Sequence, residues 1–406
     1  MGIILFDEKT KCCACGACKN ICPKGAIELV KDKEGFLYPQ IDKKKCVECG
    51  ACKRVCEYQN VTPNNTPKMV FAGVNKQEEQ LMKSASGGIF AAIATKFLKD
   101  GGVVFGATLS FENEHAVPQH IFIDNIKELP RLQGSKYVQS DIGNTYSEAK
   151  KMLNEGKKIL FSGTPCQIGG LYGFLGKDYE NLFTIDVICH GVPNASFFDD
   201  YIQNEKNKRN AKSIIGYSFR DKQKGWGMNG KITYIKQDGL EKNVYVPARL
   251  NSYNTLFLDG MIYRENCYVC KYAKQERRAD MTIGDYWGIE IEHPELLGKK
   301  GYNEKKGISC ILANTEKGLD ICNNLRDLVQ MDESSFEKVS HKNGQLNEPS
   351  KKPVNREMIL EKYAENGYLE VEEWFKKAYK KQIIVHTIYN AIPRKLRLKL
   401  KKIIKG

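Results

Sequence analysis

Two short cysteine-rich segments carry the clearest chemistry in this sequence. Residues 12–22 read C-C-A-C-G-A-C-K-N-I-C and residues 46–56 read C-V-E-C-G-A-C-K-R-V-C, so a shift of 34 residues superposes them. Each contains the spacing C-x2-C-x2-C-x3-C, which is typical of a bacterial-type [4Fe–4S] site. Glycine after the second cysteine removes the Cβ that would crowd so tight a turn. The repeat therefore predicts two [4Fe–4S] clusters.

The ligands of these clusters follow from the pattern of two-cluster ferredoxins, in which the fourth cysteine of each run ligates the other cluster. One cluster is assigned to Cys12, Cys15, Cys18 and Cys56. The second is assigned to Cys46, Cys49, Cys52 and Cys22. Structural zinc is the alternative, but zinc sites use close pairs of ligands separated by a gap. Cys13 is surplus to both sets and is expected to be a small packed residue.

The segments downstream of a polar, proline-containing linker at 61–68 predict the elements that would position further chemistry. Strands are predicted at 69–74, 103–109, 157–161 and 182–189, with helical segments between them. This order predicts an α/β domain with a largely parallel sheet. Ligands of such sheets bind beyond the carboxyl ends of the strands, where Cys166 and Cys189 fall.

A third cysteine set is suggested further along the chain, where Cys267 and Cys270 form a C-x2-C pair. Together with Cys166 and Cys189 they make four thiols, enough for one more [4Fe–4S] cluster. A zinc site at the pair, or unrelated buried cysteines, are the alternatives at this point. Cys310 and Cys322 lie in apolar contexts and are predicted to be core residues.

Six motifs in order resemble a known family. They are S-x-S-G-G at 84–88, G-S-K-Y at 134–137, G-T-P-C-Q at 163–167, C-H-G at 189–191, C-x2-C at 267–270 and I-G-D-x-W-G at 283–288. Over residues 68–345 their order and spacing resemble the beta-subunit family of coenzyme F420 hydrogenases and dehydrogenases, in which a preceding ferredoxin pair is a common fusion. The resemblance implies an FAD-binding α/β domain with its own [4Fe–4S] cluster. Its implied ligands are Cys166, Cys189, Cys267 and Cys270.

The resemblance also suggests residues on the flavin side. They are a serine and two glycines at a helix start, a Lys-Tyr pair and a threonine: Ser86, Gly87, Gly88, Lys136, Tyr137 and Thr164. Helix-start amides could face the FAD pyrophosphate, whereas a close-packing role is the alternative for the glycines. The Lys-Tyr pair could equally be a solvated loop, and the threonine could simply shape its turn. His190 is the catalytic candidate, as a proton donor or as a hydrogen-bond partner behind a cluster ligand.

Composition narrows the class of protein. The chain has 406 residues and a net charge of +14. Because 41% of its residues are hydrophobic, disorder of the whole chain is excluded. No secretory signal or membrane-spanning stretch is recognised, so we expect a cytoplasmic protein with reduced thiols. From Phe375 onward there are eleven Lys or Arg and no acid. The basic character therefore belongs to a tail.

That tail, residues 346–406, is predicted to be helical. Residues 394–405 place leucines and isoleucines on one face among basic residues, as interfacial helices do. Peripheral contact with the inner face of the cytoplasmic membrane is one interpretation, and a helix docked on the core is the other. Nucleic acid is not expected as a partner, because the run lacks interleaved aromatic residues and a recognised binding motif.

The predicted fold class is an α+β ferredoxin-like N-terminal module (1–60), a linker (61–68), an α/β flavin-binding domain (69–345) and a helical basic C-terminal tail (346–406). The leading hypothesis is an iron–sulfur flavoprotein oxidoreductase that relays electrons between the cluster pair and FAD. FAD would exchange hydride with an F420-like coenzyme or an organic substrate, and surface-polysaccharide metabolism would suit a tail at the membrane. Expected partners are an electron donor or acceptor protein, or a deazaflavin or nicotinamide coenzyme. The alternatives are a non-catalytic electron-transfer subunit of a larger redox complex, and a membrane-tethered structural or regulatory iron–sulfur protein.

Overall fold

The protein is represented by a computed structural model, which describes residues 2–60, 64–299 and 301–392. The first elements to consider are its strands. In chain order they are β1 (Ile27–Lys31), β2 (Leu37–Ile41), β3 (Met69–Asn75), β4 (Val103–Glu112), β5 (His115–Ile123), β6 (Ile159–Gly163), β7 (Leu182–Val187), β8 (Ala211–Ser218), β9 (Gly230–Lys236), β10 (Glu241–Val246), β11 (Met281–Asp285), β12 (Ser309–Ala313) and β13 (Val329–Ser334).

The α-helices follow the same numbering from the N-terminus. They are α1 (Ala17–Ile21), α2 (Ala51–Arg54), α3 (Glu78–Lys83), α4 (Ile89–Lys99), α5 (Thr145–Asn154), α6 (Pro165–Leu175), α7 (Ala195–Lys208), α8 (Ser252–Leu258), α9 (Ile289–Glu292), α10 (Glu316–Asn324), α11 (Phe336–Ser340), α12 (Arg356–Asn366), α13 (Tyr368–Ala378) and α14 (Lys380–Ala391). Short 3-10 helices lie at Lys9–Lys11, Ile126–Arg131, Ala248–Leu250, Glu265–Val269, Pro294–Leu296 and Gly344–Leu346.

The cysteine repeat folds twice in the same way. Ala14 (φ 50°) and Glu48 (φ 52°) occupy equivalent positions with positive φ. Two residues later Gly16 (φ 79°) and Gly50 (φ 71°) begin α1 and α2 in the left-handed region, where glycine avoids a Cβ clash. Strands β1 and β2 pair antiparallel between the two halves. The predicted α+β character of the N-terminal module is therefore confirmed.

The central part is built on an eight-stranded sheet in the order β13-β3-β12-β11-β7-β6-β4-β5. Strands β4, β6, β7 and β11 run parallel at its centre. Their carboxyl ends lead directly toward Cys166, Cys189 and Asp285. Alternating helices and strands in sequence thus bring these side chains to one edge of the sheet, as the α/β pattern predicts.

The prediction of a largely parallel sheet is wrong for the outer strands. Strand β5 pairs antiparallel with β4, and β3, β12 and β13 form antiparallel pairs on the other side. The β4–β5 hairpin turns at Asn113 and Glu114, both with positive φ, and two such residues define a tight hairpin turn. Apolar runs give no strand direction, so periodicity alone could not distinguish a mixed sheet from a parallel one.

A second, three-stranded antiparallel sheet (β8, β9 and β10) is formed by the chain between β7 and β11. Helices α12 and α13 bury Ile359, Tyr363 and Val371 in the same core as α7 and this sheet. Residues 356–378 therefore dock on the body of the protein. In contrast, α14 has no buried residue, and the predicted amphipathic segment 394–405 lies outside the described residues.

Candidate functional site

The first predicted cluster set is brought together in the N-terminal module. Burial raises the pKa of Cys18, and the charges of Cys15, Cys12 and Cys56 raise it further. Burial likewise raises the pKa of Cys12 to about 11, again with contributions from Cys15 and Cys56. Thiols influence one another in this way only at short range. The four assigned cysteines therefore face a common space.

The second predicted set lines a single pocket, which contains Cys22, Cys46, Cys49 and Cys52. Burial raises the pKa of Cys52, and the charges of Cys22 and Cys46 add to the rise. The crossed assignment, in which each run lends its fourth cysteine to the other set, thus agrees with the arrangement of the side chains.

The third predicted set gathers cysteines that are distant in sequence. Cys166 lies in the first turn of α6, Cys189 follows β7, and Cys267 and Cys270 lie in or just after the 3-10 helix Glu265–Val269. Burial raises the pKa of Cys189, and Cys267, Cys166 and Cys270 raise it further. Four thiols at one place suit a [4Fe–4S] cluster, which takes one thiolate at each of its four irons.

Among residues 2–60, 64–299 and 301–392, no group of three His, Cys, Asp or Glu side chains is arranged to hold a single metal ion. A cubane cluster distributes its four ligands over separate irons. The thiol donors of each set are of the type that binds a [4Fe–4S] cluster.

Cys13 connects the first set with the third. It is only 4% exposed and packs with Cys15 and Cys166. A hydrogen bond with the Cys13 thiol lowers the pKa of Cys166 to about 7 and also lowers the pKa of Cys15. The expectation of a packed residue is met, and the structure adds that this thiol bridges the two ligand sets.

Helix α6 holds the N-terminal module close through glycines. A Cβ on Gly170 would lie 2.7 Å from the Cys15 Sγ, and a Cβ on Gly173 would lie 2.3 Å from the Val55 carbonyl oxygen. No side chain fits at such distances, so backbone contact between module and helix requires glycine here. The motif G-G-L-Y-G after Cys166 was an available signal for this contact, and the sequence interpretation missed it.

Arg264 is a buried cation between the first and third sets, with a side chain 0% exposed. It donates to the carbonyl oxygens of Cys12 (3.2 Å) and Leu37 (2.7 Å) and to the Gln139 side chain (3.3 Å). All three partners are neutral, and no salt bridge to Arg264 occurs in the described part of the chain. Burial raises the pKa of Cys12, and the charge of Arg264 opposes that rise. A buried cation without a carboxylate partner fits a site that carries the negative charge of thiolate-bound clusters.

A second group of cations lies at the ends of β8 and β11, beyond the central sheet. Arg220 donates to Asp285 (2.7 Å), and Lys222 donates to the carbonyl oxygens of Leu81 and Ser86, both at 2.7 Å. Burial lowers the pKa of Lys222 to about 7, and the charge of Arg220 lowers it as well. Two cations beside one carboxylate leave excess positive charge in a buried place.

Tyr137, a predicted flavin contact, adjoins this group, which we call the cationic pocket (Arg220 and Lys222), and Lys136 is its neighbour in sequence. Lys136 donates to the carbonyl oxygens of Leu132 and Gln133, both at 2.9 Å, and burial lowers its pKa to about 7. The Tyr137 hydroxyl accepts a hydrogen bond from Arg220 at 3.0 Å. Both side chains are partly buried and hydrogen-bonded to the protein, which counts against the solvated-loop alternative.

Two indole rings lie beside Arg220. Trp226 and Trp287 lie with ring centroids 4.3 Å apart, and the Arg220 guanidinium lies 5.4 Å and 5.7 Å from them. The Trp226 indole nitrogen is buried, and no hydrogen-bond acceptor for it occurs among the described residues. A tryptophan pair, a lysine held by backbone carbonyls and an unused donor suit an aromatic, phosphate-bearing ligand.

The remaining flavin candidates take different places. Gly87 is packed so that a Cβ would lie 2.3 Å from the Gly73 carbonyl oxygen, which supports the close-packing role. Gly88 (φ 78°) begins α4, whose first turn has no side-chain cap, so its amides remain able to bind an anion. Ser86 donates from its hydroxyl to the Ile308 carbonyl oxygen at 3.0 Å, at the edge of the cationic pocket.

Thr164 and His190 accompany the third cysteine set instead. The Thr164 hydroxyl lies 3.2 Å from the Cys166 Sγ and takes part in a capping box with Gln167 at the start of α6. Its observed role is to shape that turn, which was the alternative offered from sequence. His190 is exposed beside Cys189, and its carbonyl oxygen accepts from the Ser350 hydroxyl at 2.6 Å.

The cationic pocket and the third cysteine set share one edge of the sheet. Strands β7 and β11 are parallel neighbours, and the Ile188 amide donates to the Ile283 carbonyl oxygen at 3.0 Å. Cys189 and Asp285 therefore leave adjacent strands. Sequence reasoning missed Arg220, Lys222 and Trp226, because no spacing rule links residues that meet only through β8 and β11.

Two protein families match parts of the chain. Residues 156–339 match the family described as the C terminus of the coenzyme F420 hydrogenase/dehydrogenase beta subunit. Residues 11–60 match the 4Fe-4S dicluster domain. The resemblance drawn from motifs is confirmed. The N-terminal module is a two-cluster [4Fe–4S] domain, and the chain is related to an iron–sulfur oxidoreductase subunit that transfers electrons.

The comparison with solved structures is weaker. A chain of the xenon-derivatised F420-reducing [NiFe] hydrogenase complex from Methanosarcina barkeri aligns with a TM-score of 0.43 and 16% identity, covering 76% of this chain and 91% of that chain. No curated protein matches the chain.

Proposed function

We propose that this protein is an iron–sulfur flavoprotein oxidoreductase that connects its dicluster module, through a third cluster, to an FAD site. The observation that carries the proposal is the convergence of Cys166, Cys189, Cys267 and Cys270 between the module and the cationic pocket. When bound, clusters transfer single electrons, whereas a flavin exchanges one or two, so their combination couples a one-electron carrier to a hydride donor or acceptor.

The chain's own residues would perform three tasks. The third cysteine set would hold a cluster against the first set, with Cys13 between them. Arg220 and Lys222 would bind FAD phosphate groups together with the amides that begin α4. Trp226, Trp287 and Tyr137 would cover the ring system and exclude water. An F420-like coenzyme or an organic compound is the proposed hydride partner.

Anaerobic purification followed by iron and flavin analysis tests this proposal. We expect about twelve irons and about one FAD per chain. Titration with reduced F420 and with NAD(P)H would then identify which coenzyme reduces the bound flavin. A protein with about twelve irons and no FAD would instead indicate the alternative function, a non-catalytic electron-transfer protein within a larger redox complex.

Lys222 makes flavin affinity dependent on pH. The folded protein lowers the pKa of this amine to about 7, so the amine is charged at pH 6 and largely neutral at pH 9. The charged form attracts phosphate, so FAD binding is expected to weaken as pH rises from 6 to 9. Flavin fluorescence on dilution measures this. A Lys222→Met variant should bind weakly and lose most of the pH dependence, whereas Lys224→Met, at an exposed neighbour, should behave as the original protein. An unchanged profile in Lys222→Met would refute the assignment.

Peripheral membrane contact is part of the proposal and is supported by α14. This helix exposes Ile384, Val385 and Ile388 and precedes the basic residues of the tail. Among the described residues, no helix is long and apolar enough to cross a bilayer. The surface-polysaccharide setting stays a prediction.

Vesicle sedimentation tests the membrane contact. The protein is expected to sediment with vesicles containing anionic lipid and not with zwitterionic ones, because each basic residue contributes about 1 kcal/mol near an anionic leaflet. Replacing Lys395, Lys399, Lys401 and Lys402 with glutamine should remove about 4 kcal/mol of that attraction. Equal sedimentation of the variant and the original protein would contradict a charge-driven contact.

A further inference from the structure

The two halves of the cysteine repeat have different surroundings, although their backbones are alike. No residue between 12 and 20 is exposed, because α6 and the Arg264 segment cover the first run. In the second run Val47, Glu48, Cys49, Lys53 and Arg54 are exposed. Val47 is the residue of the second run that is equivalent to Cys13. Its side chain is 57% exposed, whereas Cys13 is buried against Cys166. One half of the module therefore faces inward, and the other half faces outward.

The outward half carries features of a protein-docking surface. Val47 and Ile3 line the same pocket as the exposed Cys49, and the apolar side chain of Val47 is 57% exposed. Lys43, Lys44 and Lys45 are all exposed beside Cys46. Of these three, Lys45 forms an ion pair, with Asp42 at 3.6 Å. Residues 42–54 contain five basic and two acidic side chains, which leaves an excess of three positive charges.

We propose that this outer face (Ile3, Lys43–Lys45, Val47 and Cys49) docks a small acidic electron-transfer protein. An apolar centre with a basic rim is complementary to a carrier whose redox centre lies among acidic residues. Docking there would bring the carrier to within contact of a cysteine of the second ligand set. The carrier would lose one electron, the dicluster module would gain it, and no bond would form or break.

The inference deepens the proposed function, because it names the partner class of the relay. It depends, however, only on the dicluster module and not on FAD. Reduction of the N-terminal clusters can therefore be measured separately from flavin content, and failure of either idea can be recognised without the other.

Stopped-flow reduction of the intact holoprotein tests the docking face. The probe is a small acidic ferredoxin reduced beforehand, and the readout is bleaching of cluster absorbance. The triple variant Lys43→Glu, Lys44→Glu and Lys45→Glu is expected to react about tenfold or more slowly at low ionic strength. The original protein should slow as salt is added, because screening weakens the steering.

The matched control reverses the same number of charges elsewhere. Lys99, Lys127 and Lys212 are exposed and lie on other elements, so Lys99→Glu, Lys127→Glu and Lys212→Glu together should change the rate less than about twofold. Equal rates in both triple variants, whether slowed or not, would overturn the assignment of the face. Iron content serves as the check that each variant retains its clusters.

Zero-length carbodiimide cross-linking provides a second measurement on the unaltered protein. Lysines at 43–45 are expected to couple to carboxylates of the ferredoxin, with the products located by mass spectrometry. Cross-links confined to other lysines would overturn the proposal even if the triple variant failed to assemble its clusters.

Discussion

Replacing Cys189 with alanine is expected to reduce the iron content by about one third, from about twelve atoms to about eight. Cys189 meets Cys166, Cys267 and Cys270, none of which belongs to the two N-terminal ligand sets. The electron paramagnetic resonance signals of the two N-terminal clusters should therefore remain. Flavin bound through the cationic pocket should also remain, but reduction of the clusters should no longer lead to reduction of the flavin.

Cys189 is a sharper choice than Cys166, because Cys13 lies beside Cys166 and supplies a spare thiol. We expect Cys166→Ala to keep part of the third cluster and the double variant Cys13→Ala, Cys166→Ala to lose it. Cys322→Ala is the matched control, because Cys322 is buried on α10 away from all three sets. This variant should keep its full iron content. A Cys189→Ala protein with full iron content would refute the third ligand set.

Replacing Arg264 with methionine is expected to destabilise the contact between module and central domain by several kcal/mol, because each buried acceptor that is left unpaired costs about 1–3 kcal/mol. The guanidinium joins Cys12 and Leu37 of the module to Gln139, and it stacks 4.1 Å from the Tyr38 ring centre. Its loss leaves these buried acceptors unpaired. Chemical denaturation under anaerobic conditions, followed by cluster absorbance, measures the shift.

The same substitution should make the reduction potentials of the first and third clusters more negative. Reduction adds negative charge, and a buried cation nearby favours the reduced state because charges interact strongly at low dielectric. Arg264→Lys should retain much of the potential while losing the forked hydrogen bonds, since lysine keeps the charge without the planar geometry. Arg249→Met, at a half-exposed arginine paired with Asp259, is the control for stability and potential. A destabilised Arg264→Met protein with unchanged potentials would show that Arg264 acts only through the backbone contacts.

The cysteine repeat could be predicted from the local spacing of its residues. The backbone conformation of each run is determined locally. Positive φ angles occur at Ala14 and Gly16 in the first run and at Glu48 and Gly50 in the second. The crossed ligand assignment followed from the same short-range pattern. Helix α4 and the central strands were likewise predictable, since apolar runs flanked by glycines specify elements without reference to the rest of the chain.

Strand direction and the cationic pocket could not be predicted in the same way. Whether β3 and β12 run with or against β11 depends on connections and packing, not on the apolar content of each strand. Arg220, Lys222 and Trp226 resemble an ordinary charged loop in sequence, and only the neighbouring β11 and the loop at Ser86 make them a buried pocket.

The two cysteine runs and the dicluster identity of the module could be recognised in the sequence, because cluster ligation there depends on residue type and short spacing. The tertiary structure alone decided which half of the repeat faces inward. It also placed Cys13 between the first and third sets and put Arg264 beside both. The physical reason is burial. The glycines of α6 allow the module to pack closely against this helix, so the two similar cysteine runs have different neighbours.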